Sequence, residues 1–316
     1  MKQTTMLCAA IAVVASAASA QNDKTKNPPS AQTPPAVSKT DLKKGLPFCH
    51  KASEVVGSKV KNAAGEDLGN VEELVLDPSS GSIEYAVVSF GGFLGMGEKL
   101  FAVPFSMLRA PEVPEGDKLA HFTMNVDKAR LEKAPGFDKN NWPDVNAATW
   151  SDEIDKYYGV TRNRMGDDIN APKTDKDNKD AGKAIDQNKK FHLVKASDVL
   201  GATIENRNND NVGEVKELVL DPGRSKAVYF VLKAGGFLGM GEKLFAVPWT
   251  ALKIDVKESN KTKFVLDVPK ERFEKAPEYK DTDWTRMRDP NWIEEVYGYY
   301  GSRPYWKTGT GAGAPR

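Results

Sequence analysis

The chain has 316 residues, of which 40% are hydrophobic and 28% charged, which is enough apolar material for more than one core. Its formal net charge is +1, and Lys2 is the one basic residue of the first twenty, so the remainder is formally neutral. Proteins that bind nucleic-acid phosphates normally carry a basic face or a high pI, so this composition argues against a nucleic-acid partner.

Residues 1–20 have the pattern of a secretory signal peptide. Lys2 supplies a basic start, the run 7–18 is almost entirely apolar, and Ala18-Ser19-Ala20 has the small residues of a cleavage site. The alternative is a membrane anchor, but a spanning helix needs about 20 apolar residues, and this run is shorter. We therefore expect cleavage near Ala20 and a periplasmic or secreted mature protein.

The next segment, 21–47, is rich in Lys, Asn, Ser and paired prolines, and it predicts a solvated, disordered tether. After cleavage Cys49 is the one cysteine left, so no internal disulfide is possible. An unpaired thiol in an exported protein is compatible with an intermolecular bridge or with a buried, inert side chain, and both readings stay open here.

The chain contains a duplication. Residues 51–108 align without a gap with residues 195–252, with 31 identities in 58 positions at an offset of 144. The segment Gly91–Pro104 returns unchanged as Gly235–Pro248, and the similarity continues to the helical ends at an offset of 142. We expect repeat 1 over 48–160, a polar linker over 161–190, repeat 2 over 191–301 and a disordered Gly-rich tail over 302–316.

Each repeat predicts short strands separated by turns. In repeat 1 a helical turn capped by Ser53 and ended by Gly57 precedes the strands Val71–Leu76, Ile83–Val88 and Leu100–Val103. In repeat 2 the same elements are Ser197, Gly201, Val215–Leu220, Ala227–Leu232 and Leu244–Val247. The turns begin at Asp77-Pro78 and Asp221-Pro222. Ile83–Val88 is apolar on both faces, so it is either covered on both sides or lies at an interface.

Each repeat then continues into a helix with an aromatic face. Trp150, Tyr157 and Tyr158 recur at helical spacing as Trp292, Tyr299 and Tyr300, followed by Gly159 and Gly301 as stops. Packing on the repeat's own sheet is the main expectation. Contact with a protein or lipid partner is the alternative.

The glycine-rich segment Gly91–Leu108 and its second copy Gly235–Leu252 resemble the PRC-barrel family. The resemblance lies in GGFLG-x-GEK followed by AVP-[FW]-x-x-L, with KAS and ELVLDP blocks before it. It implies a mainly β protein with two small closed barrels, each followed by the aromatic-faced helix. Barrels of this family resemble adaptor modules, which implies a binding function.

No pattern predicts catalysis or a cofactor. The glycines at 91, 92, 95 and 97 precede a strand, whereas a dinucleotide fingerprint opens a helix. None of the three histidines, His50, His121 and His192, recurs between the repeats, so a duplicated metal site is not indicated. The recurring carboxylates are Glu73/Glu217, Asp77/Asp221 and Glu98/Glu242, and they suit turns and surface pairs better than acid–base catalysis.

We therefore expect a non-enzymatic adaptor or scaffold of the cell envelope that binds a protein partner or associates with itself. The candidate contact loops hold Phe93, Leu94 and Met96, repeated as Phe237, Leu238 and Met240, although these side chains are also suited to closing a barrel end. Peripheral contact with a membrane is the second hypothesis. The third is an enzyme or a small-molecule carrier, such as a small-molecule-binding stress protein, and it requires a polar pocket shared by both repeats.

Overall fold

The computed structural model describes residues 49–90, 99–111, 119–161, 192–234, 242–256, 262–266, 268–273 and 275–304. Repeat 1 contains β1 (His50–Lys51), α1 (Ala52–Val55), β2 (Lys59–Lys61), β3 (Asp67–Asp77), β4 (Ser82–Phe90), β5 (Lys99–Pro104), β6 (Leu108–Arg109), β7 (His121–Met124), α2 (Lys128–Glu132), β8 (Gly136–Asp138) and α3 (Ala148–Tyr158). Repeat 2 contains β9 (Val194–Lys195), α4 (Ala196–Val199), β10 (Thr203–Glu205), β11 (Asn211–Asp221), β12 (Lys226–Ala234), β13 (Lys243–Pro248), β14 (Leu252–Val256), β15 (Thr262–Leu266), α5 (Lys270–Phe273), β16 (Glu278–Tyr279) and α6 (Pro290–Tyr299).

The strands that the sequence predicts are present in both repeats. Val71–Leu76 lies within β3, Ile83–Val88 within β4 and Leu100–Val103 within β5, and their counterparts occupy β11, β12 and β13. β5 and β13 each end on a proline that is followed by a short 3₁₀ turn, consistent with the missing proline N–H. The fold is mainly β with short helices.

The two repeats do not form separate sheets. The described strands join one hydrogen-bonded sheet, whose main path runs β14-β15-β10-β11-β12-β4-β3-β2-β7-β6. The expectation of two independent sheets is therefore wrong. Among the described residues this sheet is not closed. The strands of repeat 1 follow the order β6-β7-β2-β3-β4-β5-β8, and β8 does not pair with β6, so closure of each barrel stays a prediction.

The link between the repeats is reciprocal. β1 of repeat 1 pairs with β11 of repeat 2, and β9 of repeat 2 pairs with β3 of repeat 1. We call β1 and β9 the exchange strands. Their registers match at the repeat offset, since His50 faces Leu220 and Val194 faces Leu76. The halves are therefore related by a pseudo-two-fold axis, as in an isologous dimer.

The axis passes between the first residues of β4 and β12, where Ser82 pairs with Lys226, its own counterpart in the alignment. The Ile83 amide donates to the Ser225 carbonyl at 2.8 Å, and the Ala227 amide donates to the Gly81 carbonyl at 2.7 Å. β4 and β12 run antiparallel and overlap only there, so they extend from the axis in opposite directions.

One hydrophobic core extends across both repeats. It contains Leu74, Val88 and Phe122 of repeat 1 together with Leu218, Phe230 and Phe264 of repeat 2. A second, smaller cluster lies between β12 and α6 and contains Val228, Tyr229 and Val296. From Tyr229 to Leu232 the side chains of β12 alternate between these two clusters. The strand that is apolar on both faces is thus covered on both faces, as is β4, whose Tyr85 lies against α3.

The predicted capping of α1 by Ser53 is wrong. α1 begins after Lys51, and Ser53 lies inside the helix, where its Oγ donates to Glu217 Oε2 of the other repeat at 2.5 Å. The predicted helix stops are confirmed, since Gly159 and Gly301 have φ of 70° and 62°.

A common core and a shared sheet predict one cooperative unfolding transition for both repeats. Gly69 has φ +117°, and a Cβ there would lie 1.7 Å from the Ser89 carbonyl oxygen. We expect Gly69→Ala to lower the free energy of unfolding by about 3 kcal/mol, combining left-handed strain with a backbone clash. Urea unfolding monitored by circular dichroism and tryptophan fluorescence should show the whole transition shifted, including the signal from repeat 2.

Gly65→Ala is the matched control, because Gly65 has φ +82° but nothing within 4 Å of an added Cβ. It should cost about 1 kcal/mol, which isolates the effect of strain from that of the clash. Two separate transitions, of which Gly69→Ala moves only one, would contradict the shared core.

Candidate functional site

The candidate loop residues Phe93, Leu94, Met96, Phe237, Leu238 and Met240 lie outside the described residues, but the strands that carry both loops are defined. Phe90 pairs with Lys99 and Ala234 pairs with Lys243, so both hairpins are hydrogen-bonded up to their last described residues. We call the pair Phe90 and Lys99 the first hairpin end, and the pair Ala234 and Lys243 the second hairpin end. Each is eight residues from the axis along its strand, in opposite directions. At about 3.3 Å per residue, they are separated by at most about 50 Å.

The surroundings of the two hairpin ends differ. In repeat 2, Lys233 pairs with Glu242 at 3.1 Å and Lys243 pairs with Glu278 at 3.2 Å. In repeat 1, the ammonium of Lys128 lies 5.3 Å from the ring centroid of Phe90. The segments are identical in sequence, whereas the scaffold around them is charged in one repeat and partly aromatic in the other.

A shallow groove of about 510 Å³ lies beside the second hairpin end. Its polar lining consists of Glu214, Lys216, Lys233 and Glu242. The aligned residues of repeat 1 include Asn70, Glu72 and Ser89 in place of the first three. Neither lysine of the lining is therefore repeated in repeat 1, which disfavours this groove as a duplicated ligand site.

The aromatic helix residues lie against their own repeats. The Trp150 ring is 4.9 Å from that of Tyr85, and the Trp292 ring is 6.0 Å from that of Tyr229. Tyr158 is fully buried and Trp292 is 3% exposed. These contacts favour the packing interpretation, because the side chains already cover the outer faces of β4 and β12.

Tyr157 and Tyr299 fasten the same helices at their C-terminal ends. Tyr157 Oη donates to the Arg130 carbonyl at 2.5 Å, while Arg130 Nη2 donates to the Tyr157 carbonyl at 3.4 Å. Arg272 and Tyr299 form the same reciprocal pair in repeat 2. Tyr300 is half-buried against its neighbour Tyr299, with ring centroids 5.3 Å apart. Each helical extension is thus bound to the body of its repeat.

The recurring carboxylates have structural partners. Glu217 accepts from the Ser53 amide at 3.4 Å and Glu73 from the Ser197 amide at 3.3 Å, so each caps the first turn of the other repeat's short helix. Both glutamates sit at a β-bulge, where β3 and β11 shift register. The bulge turns these side chains toward the exchanged segment.

Asp77 and Asp221 form the predicted turns. Asp77 accepts from the Ser79 amide at 2.8 Å, and Asp221 accepts from the Arg224 amide at 3.1 Å. Glu98 lies outside the described residues, while its counterpart Glu242 is bound to Lys233.

A buried polar cluster at the first exchange strand was not predicted. Cys49 and His50 are 0% and 2% exposed, and Asp221 is 1% exposed. Arg288 Nη2 donates to the Cys49 carbonyl at 3.0 Å, and Arg224 bonds Asp221 at 2.5 Å. At the matching place in the other half, Asn146 Oδ1 accepts from the Leu193 amide at 2.6 Å. A search for positions where the two repeats differ would have identified this cluster, because Leu193, Val194, Ser80 and Asn146 replace its members.

Burial controls ionisation in this cluster. Burial first, and then the negative charge of Asp221, raises the pKa of the Cys49 thiol well above its ordinary value, so the thiol stays protonated and unreactive near neutral pH. Burial lowers the pKa of His50, and Arg288 acts in the same direction, while Glu54 at 3.5 Å opposes the shift. Cys49 is therefore a buried side chain in this arrangement, and an intermolecular bridge would require β1 to detach.

Among the described residues no group of three or more His, Cys, Asp or Glu side chains is placed to hold a metal ion. His192 bonds the Thr262 hydroxyl at 2.6 Å, and His121 lies on β7. Of the helices in the described ranges, none combines the length and apolar character needed to span a bilayer.

The lowered pKa of His50 predicts a pH dependence. In the unfolded chain this histidine binds a proton near pH 6.5, whereas in the folded chain its lowered pKa disfavours protonation. The free energy of unfolding is therefore highest above about pH 6.5, where His50 is neutral in both states, and it decreases as the pH falls below that value. His50→Val, which installs the residue found at the matching position 194, should flatten the dependence of the free energy of unfolding on pH between about 7 and 5.

Urea midpoints measured at several pH values test this. A His50→Val slope equal to that of the wild type would contradict the assignment.

The geometry agrees with a comparison to known families. The family model described as PRC-barrel domain matches residues 50–121 and again residues 191–273. Among curated proteins, none matches the chain. Both matched stretches contain the exchange strand, the strand pairs and the hairpin stems of one repeat, while α3 and α6 follow them. The chain belongs to the PRC-barrel family, with one PRC-barrel domain in each repeat.

Proposed function

We propose that the protein is a non-catalytic, exported adaptor that binds a protein partner in the cell envelope through its two hairpin ends. The observation that carries this proposal is the placement of one sequence at two sites. The segment 91–98 is identical to 235–242, and the strands that lead to the two copies, β4 and β12, extend from the axis in opposite directions.

The internal side chains support the same conclusion. Tyr85 and Tyr229 are fully buried, and the recurring carboxylates cap helices and turns. These recurring features of the repeat have structural partners within the fold. The other recurring feature is the apolar set Phe93, Leu94 and Met96. Apolar side chains on glycine-rich loops suit the shallow contact surface of a partner protein.

Two identical contact sites on one body also imply bivalent binding. When one site is engaged, the second meets a repeating or dimeric partner at a high effective concentration, provided that the partner's sites match a span of at most about 50 Å. The partner class that fits best is therefore an oligomeric envelope protein or a second copy of this chain.

Photo-crosslinking in the producing cells tests the contact sites. A photoreactive residue at Phe93 and one at Phe237 should give adducts of the same mass, because the two loops are identical in sequence. The same residue at Ser79, which is exposed in the turn between β3 and β4 beside the axis, is the control and should give none of these adducts. An adduct of twice the chain mass would identify self-association.

Bivalency is tested by measuring how strongly the variants Phe93→Ser and Phe237→Ser, singly and together, bind the purified partner that crosslinking identifies. Each single variant should bind at least about tenfold more weakly than the wild type, and the double variant should lose binding.

Equal crosslinking from all three positions would overturn the proposal. If no adducts form and the protein co-sediments with lipid vesicles, peripheral membrane contact would replace protein binding as the proposed function.

Export is tested at the cleavage site. The mature protein should begin at Gln21, and Ala18→Arg or Ala20→Arg should leave the precursor uncleaved, because the processing enzyme accepts small residues at these two positions. Ser19→Arg adds the same charge between them and should still be processed. N-terminal sequencing and intact mass of the exported fraction give the result, and an unprocessed wild-type protein in the cytosol would contradict export.

A further inference from the structure

The contact between the repeats has the form of a symmetric dimer interface, but its two sides are no longer the same. Gly81, Ser82 and Phe105 of repeat 1 correspond to Ser225, Lys226 and Trp249 of repeat 2. In an isologous interface every contact occurs twice. Here each pair of symmetric contacts has become two different contacts, and each difference is complementary across the axis.

The first difference is one of size. The Trp249 ring stacks on Phe230 with centroids 4.3 Å apart, and its Nε1 donates to the Pro78 carbonyl of repeat 1 at 2.9 Å. The opposite side of the ring lies against Gly81, where an added Cβ would approach Cδ1 to 2.8 Å. Only a residue without a side chain fits at that position, which also has φ +70°.

Repeat 2 has no such space for a second Trp249. The residue that corresponds to Gly81 is Ser225, which has φ +53° and carries the Cβ that the tryptophan would meet. A pair of two repeat 2 units would therefore place two indole rings against two serine side chains. The smaller Phe105 stands at the matching position of repeat 1, so the combination in the native chain sets the larger ring against the glycine.

The second difference is one of charge. Lys226 Nζ donates to Ser82 Oγ at 2.7 Å and to the Ser80 carbonyl at 3.3 Å, and Glu84 and Asp77 of repeat 1 are the negative charges that act on it. In a pair of repeat 2 units Lys226 would face Lys226. Val228 would replace Glu84, and Arg224 would replace Ser80. Asp221, which stands in place of Asp77, is already paired with Arg224, so the partly buried ammonium groups would repel each other with less compensation than in the native chain.

A pair of two repeat 1 units has no clash but fewer bonds. It lacks the indole hydrogen bond to Pro78 and both bonds from Lys226, since Phe105 and Ser82 occupy those positions. It also lacks the bond of Arg288 to the Cys49 carbonyl and the ion pair of Lys51 with Asp281 at 2.9 Å. The mixed pair is the one in which all of these contacts form.

We infer that the surface around the axis is heterospecific: it binds repeat 1 to repeat 2, of the same chain or of a second copy, and excludes pairing of repeat 2 with itself. Any exchange of repeats between chains then gives closed dimers with mixed contacts. This inference concerns assembly and does not rest on the proposed adaptor function.

A double-substitution cycle in the full chain tests the charge pair. Ser82→Lys should place two lysines at the axis and lower the thermal midpoint by about 4 °C. Adding Lys226→Ser to that variant should recover part of the loss, because it removes one of the two ammonium groups that repel each other. Recovery stays incomplete, since the lysine at position 82 then faces Arg224 and Val228 in place of Ser80 and Glu84. Ala64→Lys adds the same charge at an exposed position and should leave the midpoint unchanged. Strictly additive effects of Ser82→Lys and Lys226→Ser would overturn the inference.

The size pair is tested in the same way with Gly81→Ala. This substitution should lower the midpoint, and Trp249→Phe should reduce that loss, since the smaller ring makes room for the added Cβ. Gly57→Ala controls for left-handed strain, as Gly57 has φ +91° and nothing within 4 Å of an added Cβ. If Trp249→Phe does not relieve Gly81→Ala more than it relieves Gly57→Ala, size complementarity is excluded.

Specificity itself is measured by competition. A full chain with a protease site inserted in segment 162–191 is cleaved, the halves are separated in urea, and native mass spectrometry follows refolding of each half alone and of the mixture. The mixture should contain mixed pairs in at least about tenfold excess over pairs of repeat 2. Pairs of repeat 2 as abundant as mixed pairs would overturn the inference.

Discussion

The fold depends on covering both faces of two central strands. Six of the nine residues of β4 and six of the nine of β12 are buried, and they lie on both faces, so neither face can be left to solvent. One face enters the core that the repeats share. The other is covered by the aromatic helix of the same repeat, through Trp150 on Tyr85 and Trp292 on Tyr229. The helical extensions are therefore an integral part of each unit, even though the family match ends before them.

Covering the strand edges joins the two repeats further. The strands β3 and β11 have edges that the short exchange strands β1 and β9 occupy, and each exchange strand comes from the opposite repeat. An edge covered in this way is not available for pairing with other chains. Because the exchange is reciprocal, neither half completes its own sheet, and the duplication acts as a covalently linked dimer.

Much of the local structure could be predicted from the sequence. The strand positions, the Asp-Pro turns and the glycine helix stops follow from alternation, turn chemistry and left-handed φ, which are properties of neighbouring residues. The motifs of each repeat also predicted the correct domain type. Ser53 illustrates the limit of this reasoning. As a serine near a helix start it predicts a local cap, whereas its hydroxyl bonds Glu217, 164 positions away.

The pairing of the repeats could not be predicted for the same physical reason. Strand exchange leaves each local pattern unchanged, because β1 presents the same residues to β11 as it would to β3. Information about the partner lies in the differences between the copies, such as Gly81 against Ser225 and Ser82 against Lys226, and an alignment that seeks identities passes over them. The candidate loops are the opposite case, since their identity can be read from the sequence, while the relative placement of the strands that flank them follows from the fold.

A duplicated gene can keep two equal interfaces or let them diverge. While the copies were equal, each could pair with itself on another chain, and the product was not limited to one molecule. Once the large ring and the ammonium group were confined to one copy, and the glycine and the serine to the other, mixed pairing became the arrangement with all contacts made. The hairpin segments are identical in the two repeats, whereas Gly81 and Ser82 differ from Ser225 and Lys226 at the axis. Identity and difference between the repeats are therefore separated along the same two strands, β4 and β12.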